Sequence, residues 1–114
     1  MKRKRILIVE PRGSAGNIFG GYLHLPLLGP LYLGTILRRA GHQVSVLNEN
    51  LPGSVLTAYE LDADILMLSC LTPTVERGYR IAREYKAANP NGIVILGGVH
   101  ATFVPQEALD NGDI

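Results

Sequence analysis

The sequence is poor in the residues that most readily declare a chemistry. Among 114 residues there is one cysteine, Cys70. That excludes an internal disulfide framework and any cysteine-rich zinc or iron–sulfur site within the chain, and it fits a reducing compartment. There is no tryptophan, so one common stacking partner for a flavin is missing. Charged residues make up only 18% and leave a net charge of +1. Such a balance offers neither a basic field for nucleic acid nor an acidic store for cations. The one basic run, Lys2-Arg3-Lys4-Arg5, reads as a solvated lead-in to the first strand rather than a phosphate-binding arm. It is followed only by the short apolar run Ile6 to Val9, unlike a signal peptide, and no apolar stretch approaches a membrane span. The cytoplasm is the expected location.

What is present is a core former. A hydrophobic fraction of 46% over 114 residues suits one domain with one core. Short apolar runs alternate with helical patterns, the signature of a parallel α/β sheet. Arg5 to Val9 predicts a strand buried on both faces, because its apolar residues do not alternate with polar ones. A long glycine-rich loop, Glu10 to about Pro26, precedes a helix from about Pro30 to Ala40. Pro30 suits its first turn, Arg38 and Arg39 its negative end, and Gly41 a left-handed stop. Further strands are expected at 43–47, 64–69 and 93–96. Between them lie a short helix within 54–61 and a longer one from Thr72-Pro73 to about Ala88. The longer helix carries the apolar stripe Val75, Tyr79, Ala82 and Tyr85 at helical spacing. A last short helix is expected at 105–111, and Asp113-Ile114 reads as the start of a fifth strand.

In an open parallel sheet, ligands bind beyond the carboxyl ends of the strands. Three segments converge there: the loop after the first strand, the turn Ser69-Cys70-Leu71-Thr72, and the turn Gly97-Gly98-Val99-His100. Ser69 and Thr72 place hydroxyls at the end of an apolar strand, where they could bond a buried heterocycle or amide. Alternatively, Thr72 caps the helix and Ser69 bonds local backbone. Gly97 and Gly98 remove two side chains, for an unusual dihedral or for something bulky against the backbone. Gly13-Ser14-Ala15-Gly16-Asn17 is not followed at once by a helix, so phosphate cradling there is a weak signal. His42 reads as a partly exposed loop residue, Cys70 as a small apolar packer, and Glu10 with Arg12 as an exposed ion pair. No histidine pair has metal-ligand spacing on one element.

These turns carry a resemblance. Asp64 to Thr74, followed by Gly97-Gly98-Val99-His100, resembles the cobalamin-binding domains of B12-dependent enzymes. Together with Pro26 to Gly34 and Gly41-His42-Gln43-Val44, it is similar to the N-terminal B12-binding domain of radical SAM enzymes, a branch that includes methyltransferases and the anaerobic cyclase of bacteriochlorophyll synthesis. The resemblance covers nearly the whole chain. It implies a flavodoxin-like, Rossmann-type α/β fold: an open parallel sheet of strand order 2-1-3-4-5 with helices on both faces. It implies that Ser69, Leu71 and Thr72 line a pocket for the dimethylbenzimidazole tail, and that Gly97, Gly98 and Val99 let the tail pass. The corrin would rest over Arg12, Gly13 and the turn carrying His100. Where other branches hold a cobalt-ligating histidine in D-x-H-x-x-G, this chain reads Glu10-Pro11-Arg12-Gly13-Ser14-Ala15. Arginine has no lone pair to give a metal. The expectation is therefore tail-displaced, base-off cobalamin without that ligand, with His24 an outside candidate for the axial position.

The resemblance also implies a longer parent, with residues 1–114 its cobalamin-binding domain. A radical SAM domain with its 4Fe-4S cluster and S-adenosylmethionine would then be the partner, since this chain lacks the three clustered cysteines required. No catalytic residue, nucleic-acid partner or membrane contact is expected within the chain itself. The competing readings are a flavodoxin-like FMN carrier, a phosphorelay receiver and a ligand-free interaction domain. The receiver needs an aspartate where Ser69 stands.

Overall fold

A computed structural model describes residues 2–13, 28–111 and 113–114. His24, Gly20-Gly21 and most of the glycine-rich loop after the first strand lie outside these residues. Four parallel strands form one sheet: β1 (Arg5–Glu10), β2 (Gln43–Asn48), β3 (Ile65–Ser69) and β4 (Ile93–Gly97), in the order β2-β1-β3-β4. This is the expected order, without its fifth member. Among the described residues Asp113 and Ile114 form no strand, although Ile114 packs against the core.

The helices are α1 (Leu28–Arg39), α2 (Ala58–Leu61), α3 (Val75–Ala88), α4 (Val99–Phe103) and α5 (Pro105–Asp110). α1 ends as its sequence dictates. Gly41 adopts φ +101, its N–H donates to Arg38 O at 3.0 Å, and the His42 N–H donates to Leu37 O at 3.2 Å. This is the paired closure that a left-handed glycine allows. The unexpected element is α4, five residues long and directly after the glycine pair. It is too short to show a period in the sequence.

Because strand side chains alternate, the sheet buries two faces against different helices. Leu7, Val9, Leu66, Leu68 and Val94 join the α3 stripe (Val75, Tyr79, Ala82 and Tyr85) in one cluster. On the opposite face α1 lies over β1 and β2, and a Cβ built at Gly34 would approach Val46 Cγ2 to 3.1 Å and Ile8 Cδ1 to 3.6 Å. So helices cover both faces, as expected. β1 is buried on both, whereas the α1-side residues of β4 stay open, with Ile95 45% exposed.

Two further expectations are corrected. His42 is buried, and its Nδ1 accepts the Lys4 N–H at 3.1 Å, tying the start of β1 to the end of α1. Glu10 is only 4% exposed, so it is buried where an exposed residue was expected. Nearby, Arg77 pairs with Glu49.

Tyr85 is the largest fully buried side chain among the described residues, and its hydroxyl donates to Ala63 O at 2.9 Å. Tyr85→Phe strips that carbonyl of its partner inside the core. It should lower unfolding stability by about 1–2 kcal/mol, read from urea denaturation, with unchanged secondary structure. A loss under about 0.3 kcal/mol would mean the bond contributes nothing net.

Candidate functional site

At the carboxyl edge the turns after β3 and β4 are folded across one another. Ser69 pairs with Gly97 in the sheet. The Cys70 N–H donates to Gly97 O at 3.1 Å, and the His100 N–H donates to Cys70 O at 3.2 Å. This crossing brings Gly98 against the Cys70 peptide. A Cβ on Gly98 would sit 2.7 Å from Cys70 O and 2.9 Å from Cys70 N, and its φ is +93. Gly98 is therefore glycine for a backbone reason on two counts. Gly97 differs: a Cβ there would meet nothing nearer than Leu68 O at 4.0 Å.

Two clefts flank this crossing, and they divide between them all the expected site residues but Leu71 and Val99. The first, about 300 Å³, is almost wholly apolar. Gly29, Pro30 and Leu33 of α1 form one wall, Ile8, Met67 and Ile95 its floor, and Ser69, Gly97 and Gly98 its end at the strand tips. The second, about 470 Å³, is polar and lies on the α3 side. It gathers Arg12, Gly13, Thr72 and His100 with Arg77, Arg80 and Glu107. Leu71 and Val99 line neither cleft, and Val99 is largely exposed at the start of α4.

Thr72 does not cap α3. It begins a single 3-10 turn, Thr72–Thr74, and α3 proper starts at Val75. The turn is closed by Thr74, whose Oγ1 accepts the Leu71 N–H at 3.0 Å and donates to Leu71 O at 3.1 Å. The Thr72 hydroxyl is instead 3.0 Å from His100 Nδ1. On the far side of the ring, His100 Nε2 lies 2.9 Å from Glu107 Oε1, which also accepts the Tyr79 hydroxyl at 3.0 Å. The bond from His100, and then that from Tyr79, hold the Glu107 carboxyl below its ordinary value. Burial, with the nearby carboxylate adding to it, pushes the Tyr79 phenol up to about 12.

A second polar tie shapes the same cleft. Glu49, just after β2, takes a bidentate pair from Arg77, with Nε to Oε1 at 3.1 Å and the guanidinium NH2 to Oε2 at 2.9 Å. Its Oε1 also accepts the Arg12 N–H at 3.2 Å. Forked pairing of this kind is directional as well as attractive. It fastens the loop after β1, at Arg12, to α3.

Cys70 is fully buried, and burial pushes its thiol up to about 12. It packs as an apolar residue, since no thiolate forms near neutrality. Among the described residues no cluster of His, Cys, Asp and Glu could hold a metal ion, and no helix is long and apolar enough to cross a membrane.

Sequence reasoning missed Glu107 and Glu49, and it gave no part in the site to Tyr79, Gly29, Pro30 or Leu33. One signal was available: Tyr79 sits on a buried stripe, and a buried tyrosine hydroxyl needs a partner. Nothing local pointed to Glu107, because its contacts cross three helices.

The model of the B12 binding domain matches residues 21–114. An uncharacterized methyltransferase of Pyrococcus horikoshii is 31% identical over 90% of this chain and 23% of its own length. Two anaerobic magnesium-protoporphyrin IX monomethyl ester cyclases are also similar. That of Cereibacter sphaeroides is 29% identical over 93% of this chain and 18% of its own length. That of Rubrivivax gelatinosus is 26% identical over 92% and 20%. The chain thus spans less than a quarter of each of these relatives. No solved structure matches it.

Proposed function

The chain belongs to the B12-binding domain family, and we propose that it holds cobalamin with the nucleotide tail displaced into the apolar cleft, as one module of a longer radical SAM protein in the cytoplasm. The observation that carries this reading is the open space in front of Gly97, at the end of a cleft with apolar walls and the Ser69 hydroxyl at its tip. A flat, mostly apolar heterocycle with one ring nitrogen seeking a hydrogen bond fits such a cleft. Ser69 would meet that nitrogen, and Pro30 and Leu33 would cover the ring's face.

The polar cleft would then adjoin the corrin, with Arg12, Gly13, Thr72 and His100 along its margin. Leu71 and Val99, outside both clefts, would contribute backbone to the crossing turns rather than contact to the tail. Arg12 has no lone pair to give a metal, so the motif after β1 would supply cobalamin with contact but no cobalt ligand. Cobalamin supplies, when bound, a cobalt that accepts and hands on an alkyl group. The names of the relatives, a methyltransferase and two cyclases, support a parent of that kind. Its 4Fe-4S cluster and S-adenosylmethionine would belong to the partner domain.

The test is direct. The purified chain is mixed with hydroxocobalamin, desalted, and its visible spectrum recorded. Retained corrin bands with the base-off shift are expected. A colourless protein overturns the cofactor reading, and a retained base-on spectrum overturns the displaced tail.

A further inference from the structure

The relay Tyr79–Glu107–His100–Thr72 spans α3, α5, α4 and the turn after β3, and it ends at the polar cleft. Its proton positions follow from which groups are able to donate. An ionised carboxylate only accepts. Glu107 is held ionised at neutral pH by its two partners, so its Oε1 takes one proton from the Tyr79 hydroxyl and the other from His100 Nε2. A neutral imidazole with its proton on Nε2 has a bare lone pair on Nδ1. The only proton between Nδ1 and Thr72 Oγ1, 3.0 Å apart, is then the one on the hydroxyl.

We infer that Glu107 is a positioning residue that fixes the His100 tautomer and thereby makes Thr72 an obligate hydrogen-bond acceptor toward the polar cleft. With its proton committed to His100, Thr72 has only lone pairs left for a ligand, so the group it meets must carry an N–H or an O–H. The guanidiniums of Arg12 and Arg80 line the same cleft and offer only donors, which call for a carbonyl or similar acceptor. A primary amide satisfies both at once, giving N–H to Thr72 and C=O to an arginine. The corrin periphery is edged with primary amides, so this second step rests on the cobalamin reading above. The tautomer does not.

The experiment keeps the two apart. In the ligand-free chain, held at a pH where the imidazole is neutral, side-chain nitrogen-15 shifts of His100 should show the proton on Nε2 alone. Glu107→Lys presents a donor instead of an acceptor and should move the proton to Nδ1, while Glu107→Gln keeps a carbonyl acceptor and should leave it on Nε2. Titration with hydroxocobalamin should then weaken about tenfold in Glu107→Lys and in Thr72→Val, the loss of one hydrogen bond. Thr72→Ser and Glu107→Gln should bind as the parent chain does. A proton on Nδ1, or on both nitrogens, in the unsubstituted chain overturns the positioning role. A switched tautomer in Glu107→Lys with unchanged affinity overturns the acceptor role of Thr72. If the unsubstituted chain binds no cobalamin, the cofactor reading fails together with that acceptor role, while the shifts still decide what Glu107 does to His100.

Discussion

Gly97→Val abolishes cobalamin retention on desalting, and the chain unfolds at the same temperature as its parent: that is the result expected at the end of β4. Ile93, Ile95 and Gly97 share one face by strand alternation, and both Ile95 and Gly97 line the apolar cleft. A Cβ at Gly97 meets nothing nearer than Leu68 O at 4.0 Å, an unstrained contact, so added methyls are tolerated by the fold, and valine is favoured in strands. The same methyls occupy the space that the tail would fill. Overpacking of a closely fitted site costs about 1–3 kcal/mol, or roughly five- to 150-fold in affinity. That is enough to lose a ligand during desalting. Retention equal to the parent's would remove the cleft from the cofactor site.

The adjacent position gives the opposite outcome. Gly98→Ala should destabilise the fold itself by about 2–6 kcal/mol, because two costs combine there. An alanine at φ +93 and ψ −176 occupies a region almost restricted to glycine, worth about 1–3 kcal/mol of strain. Its methyl would also press on the Cys70 peptide at 2.7 Å, and forced overpacking adds about 1–3 kcal/mol. Thermal unfolding should drop by at least roughly 8 °C on a scale of about 4 °C per kcal/mol, with Gly97→Ala as the unshifted control. An unshifted Gly98→Ala would mean the turn relaxes at little cost. Substituting Gly98 is for this reason a poor probe of the cleft. Lost cofactor in that variant would report a broken turn, whereas lost cofactor in Gly97→Val reports a filled site.

The two glycines also mark how far a sequence can be read. As adjacent letters they suggest either a special dihedral or a close approach, and nothing local assigns one cause to each. Only the crossing of the turns does so. It lays Gly98 on Cys70 and leaves Gly97 facing open space. Thr72 is similar. Before a proline and a helical stripe it has the look of a cap, yet Thr74 closes the turn and Thr72 reaches His100, 28 residues away.

By itself the sequence determined the parallel sheet, all three helices that cross between its strands and the carboxyl edge at which open parallel sheets take ligands. Those features rest on local periodicity, on strand runs such as Ile6 to Val9, and on stops such as Gly41, all written within a few residues. The resemblance of the Ser69–Thr72 and Gly97–His100 turns extended this to the cofactor, and the family match agrees. Tertiary structure alone decided that the expected site is two clefts, apolar on the α1 side and polar on the α3 side. It also decided that Glu107, Tyr79 and Glu49 shape the polar one. The physical reason is range: helix and strand signals are set by neighbours in the chain, whereas these polar contacts join residues up to 37 positions apart that meet only once the sheet has formed.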